Sequence, residues 1–347
     1  MNLNEGITTR EVIDCFLCQK RGVLLYEQQR DRLFSASGDW NFFSCHNCGL
    51  VWLNPQPIPD EIEKLYTTYY THEPETTSLY SRLRDAVLLT EVGGNHLIEG
   101  IVWRFLGTIL YSIPPIRSAA RVATMHLGRM KKGRLLDMGC GGGRLLKLMR
   151  DVGWKVLGLE LDKQAAESTS QRLDMPVHVG TVEQADFGES FFDVITMSDV
   201  IEHLIDPIVT LQACRQILKT GGRIVIVTPN VESLGHCHFQ SSWRGLDTPR
   251  HIYLFSLRTL SELVQRAGFK IEILYTSPRN AGPTWVSSMS IRATGRRRDA
   301  GQETTGIQYT IWYLAFALAE RVANAIYKNR GEELVLLATK TGIIKHL

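Results

Sequence analysis

The stretch Leu135-Leu136-Asp137-Met138-Gly139-Cys140-Gly141-Gly142-Gly143 constrains this chain more than any other. An apolar run leads into an acid and then into glycines spaced G-x-G-x-G, with helix-like sequence after them. Glycine lets the backbone turn sharply at a strand end and brings its N–H groups close to a ligand. Two familiar nucleotide loops share that outline, and neither fits. A dinucleotide loop requires G-x-G-x-x-G, whereas the position three after Gly141 holds Arg144. A P-loop requires Lys-Ser/Thr after its glycines, and no such pair follows. What remains is a loop for a ligand without a pyrophosphate, with a carboxylate just ahead of it.

Further motifs follow in order. Lys155-Val156-Leu157-Gly158-Leu159-Glu160 reads as a second strand ending in an acid, about 20 residues past the glycines, where a carboxylate can accept from both hydroxyls of a ribose. Phe192–Leu204, containing Ser198-Asp199-Val200-Ile201-Glu202-His203, reads as a fourth strand running into a rim loop. Leu218-Lys219-Thr220-Gly221-Gly222 and the apolar run to Thr228-Pro229-Asn230 read as a helix end, a turn and a fifth strand. Together these segments resemble the motifs of class I S-adenosylmethionine-dependent methyltransferases. The resemblance implies a Rossmann-like α/β fold, with a seven-stranded sheet and helices on both faces. It also implies S-adenosylmethionine as methyl donor.

By that resemblance, and by the rule that ligands sit beyond the carboxyl ends of the strands, the cofactor contacts are Asp137, Gly139, Gly141, Gly143, Glu160, Val182, Glu183, Ser198 and Asp199. Glu160 takes the ribose, with Asp162 as a second candidate. Asp137 holds the glycine loop and faces the methionine ammonium, or alternatively only caps its strand. Val182 or Glu183 borders the adenine.

The front of the chain carries a different chemistry. Cys15-x-x-Cys18 and Cys45-x-x-Cys48-Gly49 form a double C-x-x-C pattern, the spacing of two knuckles that share one tetrahedral zinc ion. The segment between the pairs leaves room for a hairpin through Val23–Leu33. Four protein ligands make a closed, structural site. Cys140, Cys214 and Cys237 are isolated and read as ordinary core or loop residues. The first ten residues lack a secretory layout, so the expectation is a reducing cytoplasm, where such pairs hold metal.

At 347 residues the chain suits one large and one small domain. The expected division is a zinc-ribbon module over 1–58, a helical linker or substrate cap over 59–130, and a methyltransferase domain over 131–347. Phe269–Leu274 and Glu333–Lys340 read as the sixth and seventh strands, with Leu257–Ala267 as the helix before them. Residues 277–331 are then an insertion, helical and suited to substrate recognition. Gly49–Pro57, followed by Leu65-Tyr66 and Tyr69-Tyr70, resembles a set of bacterial methyltransferases of the cell-surface and secondary-metabolite type. In those, a zinc ribbon precedes the catalytic domain and helps form the substrate side.

The expected reaction is methyl transfer to a small-molecule, glycan or lipid acceptor at a hydroxyl, which requires a general base. Histidine suits that role near neutral pH. His203 resembles the E-H pair of quinone-type O-methyltransferases, and His251 lies in the loop after the fifth strand; both are candidates. For either, the alternative is a histidine that only hydrogen-bonds to hold its loop. His178, His236 and His238 also fall in rim loops. His236-Cys237-His238 offers metal-ligating atoms, but no carboxylate pair stands at ligand spacing.

The alternative function is an RNA methyltransferase gripping nucleic acid through its zinc ribbon. Against it, the net charge is only +3, and the ribbon's basic residues are matched by acids. The fourth strand ends in Ser198-Asp199-Val200-Ile201 rather than the Asn/Asp-Pro-Pro-aromatic signature of amino-group nucleic-acid methylation. Two apolar stretches, 97–116 and 307–326, are too short or too interrupted to span a bilayer. They read as packed helices or as a peripheral contact with a membrane surface; Arg296-Arg297-Arg298 would favour the latter, or is a solvated basic loop.

Overall fold

A computed structural model of the chain describes residues 2–4, 6–66, 78–296 and 307–342. Tyr69-Tyr70 and Arg297-Arg298 lie outside the described residues. Seven strands form the central sheet: β1 Arg134–Met138, β2 Lys155–Glu160, β3 Val177–Val179, β4 Phe192–Ser198, β5 Leu218–Pro229, β6 Phe269–Ser277 and β7 Glu333–Lys340. Their spatial order is β6-β7-β5-β4-β1-β2-β3. β1 to β5 run parallel, and β7 runs antiparallel to both β5 and β6.

The pleat explains why the central strands are apolar at nearly every position. Leu136, Met138, Ile195, Met197, Ile224, Ile226 and Leu336 pack on one face. Leu135, Val194, Val225, Val227, Val335 and Leu337 pack on the other, against Val122, Met125, Met149 and Trp154. A sheet covered on both faces leaves no room for the polar alternation of a half-exposed strand. Gly221, with φ +77°, and Gly222 sit inside β5, where its register with β4 shifts between Phe192 and Val194.

Helices follow β1, β2 and β4, at Arg144–Asp151, Lys163–Leu173 and Pro207–Ile217, and Leu257–Arg266 precedes β6, whereas β3 leads to β4 without one. Side chains supply the donorless ends. Asp162 accepts from Gln164 N–H at 2.8 Å, and Ser256 and Thr259 form a reciprocal capping pair. The last of these helices ends before Gly268, whose φ of +87° the sequence anticipates with a glycine.

Helices Leu79–Glu91, Ile101–Ser112 and Pro114–Ala123 pack together and cover part of one sheet face. Pro114 begins the third of these, at a position where its missing N–H costs nothing. The connection from β6 to β7 contains helices Ala281–Thr294 and Ile307–Tyr327, joined by a Trp285–Phe316 stack with ring centroids 3.8 Å apart. Because β7 is antiparallel, this connection starts and finishes at the edge where the parallel strands end. Among the described residues no helix is long and apolar enough to cross a membrane.

The cysteine-bearing front forms its own small sheet, Val23–Gln29, Trp40–Ser44 and Val51–Asn54, so the hairpin closes onto Trp40–Ser44. A fourth strand comes from far downstream: Tyr253–Leu254, after β5, pairs antiparallel with Val51 and Trp52. Trp40, Phe42, Trp52 and Leu53 are buried where this sheet meets the rim of the larger one.

Candidate active site

The loop after β1 takes the shape its glycines permit. Gly139, Gly141 and Gly143 have φ of +65°, +47° and +66°, a region that favours glycine. A side chain at Gly139 would meet Val200 Cγ2 at 2.5 Å, and one at Gly143 would meet Leu173 and Thr169 at 2.6 Å. At Gly141 the space is open, so this backbone faces the rim bare. Thr169 Oγ1 donates to Gly141 O at 2.8 Å and steadies the loop from behind.

Two carboxylates flank that bare backbone. Glu160 accepts Gly141 N–H at 2.9 Å through one oxygen, and Leu161 and Asp162 N–H at 2.9 and 3.2 Å through the other. A carboxylate has about four acceptor sites, so a hydroxyl donor still has room. Asp137 is buried at the end of β1, where Thr196 Oγ1 of β4 donates to it at 2.7 Å. Burial pushes its carboxyl up to about 7, helped by the Glu160 charge and opposed by the Thr196 bond. Such a group gains from a cation placed beside it, as the ammonium of an amino-acid ligand would be. Bare loop backbone, a diol acceptor and a buried carboxyl short of a cation fit S-adenosylmethionine.

The other expected contacts frame the same edge. Val182 is buried after β3, and Glu183 accepts from Thr210 Oγ1 in the first turn of Pro207–Ile217. Ser198 ends β4. Asp199 follows in a left-handed conformation, φ +54°, accepts from Ser198 Oγ at 3.3 Å, and donates its N–H to Val227 O at 2.9 Å.

Beyond β4 the two candidate histidines meet. Their rings lie 4.6 Å apart, centroid to centroid, in a T-shaped contact. His203 Nδ1 is 3.0 Å from Arg250 O and 3.0 Å from Tyr66 Oη. His251 Nδ1 is 2.8 Å from Gly245 O. A carbonyl only accepts, so each Nδ1 carries the proton and each Nε2 keeps its lone pair. Burial lowers the pKa of both, that of His251 to about 3, where the neighbouring His203 adds to the effect. His251 is fully buried while His203 is half-buried at the rim.

Glu202 lies wholly buried behind them. Its Oε2 accepts from Thr228 Oγ1 at 2.8 Å, and its Oε1 has no hydrogen-bond partner among the described residues. Burial, then the Asp199 charge, raises its pKa well above the usual range. His251 Nε2 is 3.9 Å from Glu202 Oε1, too far for a hydrogen bond. Glu202 and one ring nitrogen each from His203 and His251 lie within 4.8 Å of one another, a set that can hold a proton or a cation.

Of the other three histidines expected in rim loops, His178 instead lies within β3, edge-on to Phe187 with centroids 5.0 Å apart, and the other two have structural work. His236 Nε2 is 3.0 Å from Tyr26 Oη, which ties the rim to the front module. His238 stacks on Trp285 with centroids 5.0 Å apart. Neither belongs to a group of three convergent metal-ligating atoms among the described residues.

Cys15, Cys18, Cys45 and Cys48 do form such a group. Cys15 and Cys48 Sγ are 3.5 Å apart, and Cys18 and Cys45 Sγ are 3.3 Å apart. Sulfurs bound tetrahedrally at about 2.3 Å from zinc stand about 3.8 Å from one another, so these two pairs need only open by a few tenths of an ångström to share one zinc. Turns anchor both knuckles, with Gln19 N–H donating to Cys15 O and Gly49 N–H to Cys45 O, each at 2.8 Å.

The feature that sequence reasoning missed is the tie between module and rim. Arg250, fully buried, donates to Asp31 at 2.8 and 3.0 Å and to Asp247 at 2.9 and 2.6 Å. Asp31 lies in the front module and also accepts from Leu33, Phe34 and Ala36 N–H. No spacing rule joins residues so far apart. An arginine beside a candidate histidine is the nearest thing to a signal.

Residues 117–273 match a family described as a methyltransferase domain. A ubiquinone biosynthesis O-methyltransferase of Alkalilimnicola ehrlichii is 35% identical over 127 residues, covering 35% of this chain and 51% of that protein. The corresponding protein of Photobacterium profundum is 30% identical over 128 residues, covering 35% and 53%. The chain thus spans about half the length of these curated relatives. A solved S-adenosylmethionine-dependent methyltransferase of Mesorhizobium loti aligns with a TM-score of 0.43 at 17% identity, covering 64% of this chain and 97% of its own. One from Archaeoglobus fulgidus gives 0.42 at 18%, covering 63% and 94%.

Proposed function

We propose that this chain, which carries a class I S-adenosylmethionine-dependent methyltransferase domain, methylates a hydroxyl of a small-molecule, glycan or lipid acceptor. The observation that carries the reading is the rim imidazole of His203, half-buried, with Nδ1–H held by Arg250 O and Nε2 left as a base. The O-methyltransferase names of the relatives agree with an oxygen acceptor.

Bound at the glycine loop, S-adenosylmethionine supplies a methyl group on a sulfonium, to be displaced in line. Glu160 would hold the ribose diol, Asp137 the ammonium side, and Val182 the adenine edge. His203 takes the hydroxyl proton at Nε2, for which its lowered pKa keeps it neutral at pH 7. His251, buried against it, sets the position of that ring. A correctly placed base contributes roughly 10²–10⁴-fold, and alignment of the two reactants contributes up to about 7–11 kcal/mol. The four front cysteines would hold one structural zinc, which keeps Asp31 in place against Arg250.

Peripheral contact with a membrane belongs to the same reading. Helix Ile101–Ser112 exposes Ile101, Val102, Phe105 and Ile109, with Ile101 82% and Phe105 66% accessible. No acid occurs from Ile101 to Gly133, while Arg104, Arg117, Arg121, Arg129, Lys131 and Lys132 do. That balance suits anionic lipid.

The test is incubation with methyl-labelled S-adenosylmethionine and fractionated cell extract. Label in a small-molecule, glycan or lipid fraction that resists mild base and is released only by hydriodic acid, as a methyl ether is, is the expected result. Label in RNA would overturn it in favour of a nucleic-acid acceptor. Failure to bind S-adenosylmethionine would leave only a binding module.

A further inference from the structure

A cleft opens between the front module and the rim, with Gln29, Arg32 and Leu33 on one side and Trp243, Arg244 and Thr248 on the other. Asp247 also lines it, with its carboxylate paired to Arg250, and two guanidiniums in it have no ion-pair partner among the described residues. Arg32 donates to Ser241 O at 3.0 Å and to Gln29 Oε1 at 3.4 Å, both neutral acceptors. Burial lowers its pKa, and no neighbouring acid offsets that effect. Arg244 is fixed through its backbone N–H, which donates to Ser288 Oγ at 2.9 Å. Neither side chain forms an ion pair among the described residues.

The nearby acids are already committed. Asp31 and Asp247 both serve Arg250, and Asp39 serves Arg30. Asp31 and Asp247 together exceed Arg250 by one negative charge, and Arg32 and Arg244 reverse that balance to one positive. Partly buried cations without counter-charge are costly unless a ligand supplies it. Planar guanidiniums lining one space match the oxygens of a phosphoryl group, which offers enough of them to engage both.

We propose that this cleft is an anion subsite that takes a phosphoryl group carried by the acceptor. The inference rests on the methyl-transfer reading and deepens it. The segment Arg244–His251 runs from the cleft to the paired imidazoles, and Gly245 O, next to Arg244, holds His251. The positive charge of Arg244 is close enough to act on His251 and Asp247. An acceptor anchored there by phosphate extends its remaining part toward His203.

The experiment is calorimetric titration of the full, zinc-loaded chain with inorganic pyrophosphate at fixed ionic strength. One-site saturable binding is expected, weakened about tenfold or more in Arg32→Gln and in Arg244→Gln, the cost of losing one charge-assisted bond. Arg244→Lys, which keeps the charge, should lie between. Thermal midpoints and S-adenosylmethionine affinity should match wild type in all three. No saturable binding, or binding by both glutamine variants as tight as by wild type, overturns the proposal.

Two competitors identify the source of the phosphate: a nucleoside diphosphate in solution, and a polyprenyl phosphate in phosphatidylcholine vesicles. Displacement by the first assigns a nucleotide-linked acceptor, and displacement by the second a lipid-linked one. Displacement by neither overturns the acceptor assignment. S-adenosylmethionine binding is read on its own, so failure of the methyl-transfer reading gives a different trace from failure of the subsite.

Discussion

Arg250 and Asp31 form a two-pronged ion pair, 2.8 and 3.0 Å, with both side chains fully buried. One charge belongs to the rim loop after β5 and the other to the module that carries the four cysteines. The same Arg250 gives its carbonyl oxygen to His203. The ion pair thus joins the placement of the front module to the orientation of the rim imidazole.

Breaking that pair should cost more than a surface bridge. Asp31→Asn leaves Arg250 buried with one carboxylate in place of two, and removal of one partner of a buried pair costs about 3–5 kcal/mol. Urea denaturation measures the loss. A change below about 1 kcal/mol would mean that water reaches the pair and the tie is weak.

Metal analysis should return one zinc per chain. Cys48→Ser should lose it and lower the thermal midpoint, since structural zinc contributes on the order of 10 kcal/mol to small modules. Because Asp31 is part of the same module, zinc loss should reduce methyl transfer more than it reduces S-adenosylmethionine binding. A zinc-free chain with full activity and unchanged stability would remove the metal from the account.

Binding of S-adenosylmethionine should release a proton. The Asp137 carboxyl sits at about 7, above its usual 3.8, so near pH 6 it is largely protonated in the folded chain. A cation beside it restores the carboxylate and expels that proton. Calorimetry in two buffers of different ionisation enthalpy counts it: close to one proton at pH 6 and few at pH 8.5. Asp137→Asn should bind more weakly with no proton release. Glu160→Ala should lose at least about tenfold in affinity, the value of a charged hydrogen bond.

His203 and His251 should separate in their pH profiles. A neutral base is required, and His203 titrates below its usual 6.5, so activity should fall only below that pH. His203→Asn should lose this limb along with roughly 10²–10⁴-fold in rate. His251→Asn should keep the limb with a smaller loss. The reverse result would move the base to His251.

The stability of the chain carries a second mark of His251. Folded, it stays neutral down to about pH 3, whereas an unfolded imidazole takes a proton below about 6.5. The unfolded chain therefore binds more protons across that window, and stability falls as pH falls through it. At pH 5 the loss is about 2 kcal/mol. Asp137 acts in the opposite sense between 3.8 and about 7, so the informative comparison is wild type against His251→Asn. Parallel pH dependences in the two would show that His251 is protonated in the folded chain.

The sheet was largely legible because its signals are local. β1, β2 and β5 announce themselves as apolar runs bounded by acids or glycines, and the reading of β7 as Glu333–Lys340 coincides with the observed strand. The glycine loop was legible for the same reason, since positive φ selects glycine directly. Pairings between distant segments left no such trace. Thr196 looks like any strand threonine until β4 lies beside β1 and turns it toward Asp137. Asp31 sits in a run of mixed charges, and only the fold shows that it is the buried one. Glu202, next to His203, drew attention for its neighbour, although burial raises its own pKa well above the usual range.

The strand Tyr253–Leu254 closes the front sheet by pairing with Val51 and Trp52, two hundred positions earlier in the chain. On the ribosome the amino-terminal module therefore emerges with one edge open and its apolar side chains uncovered. It waits while most of the large sheet is synthesised. Its final closure is a late, long-range event, of the kind that slows folding because the intervening loop must be ordered first. A chain released before residue 254 would present that unfilled edge to its neighbours, so incomplete synthesis should yield self-association rather than a small free-standing metal module.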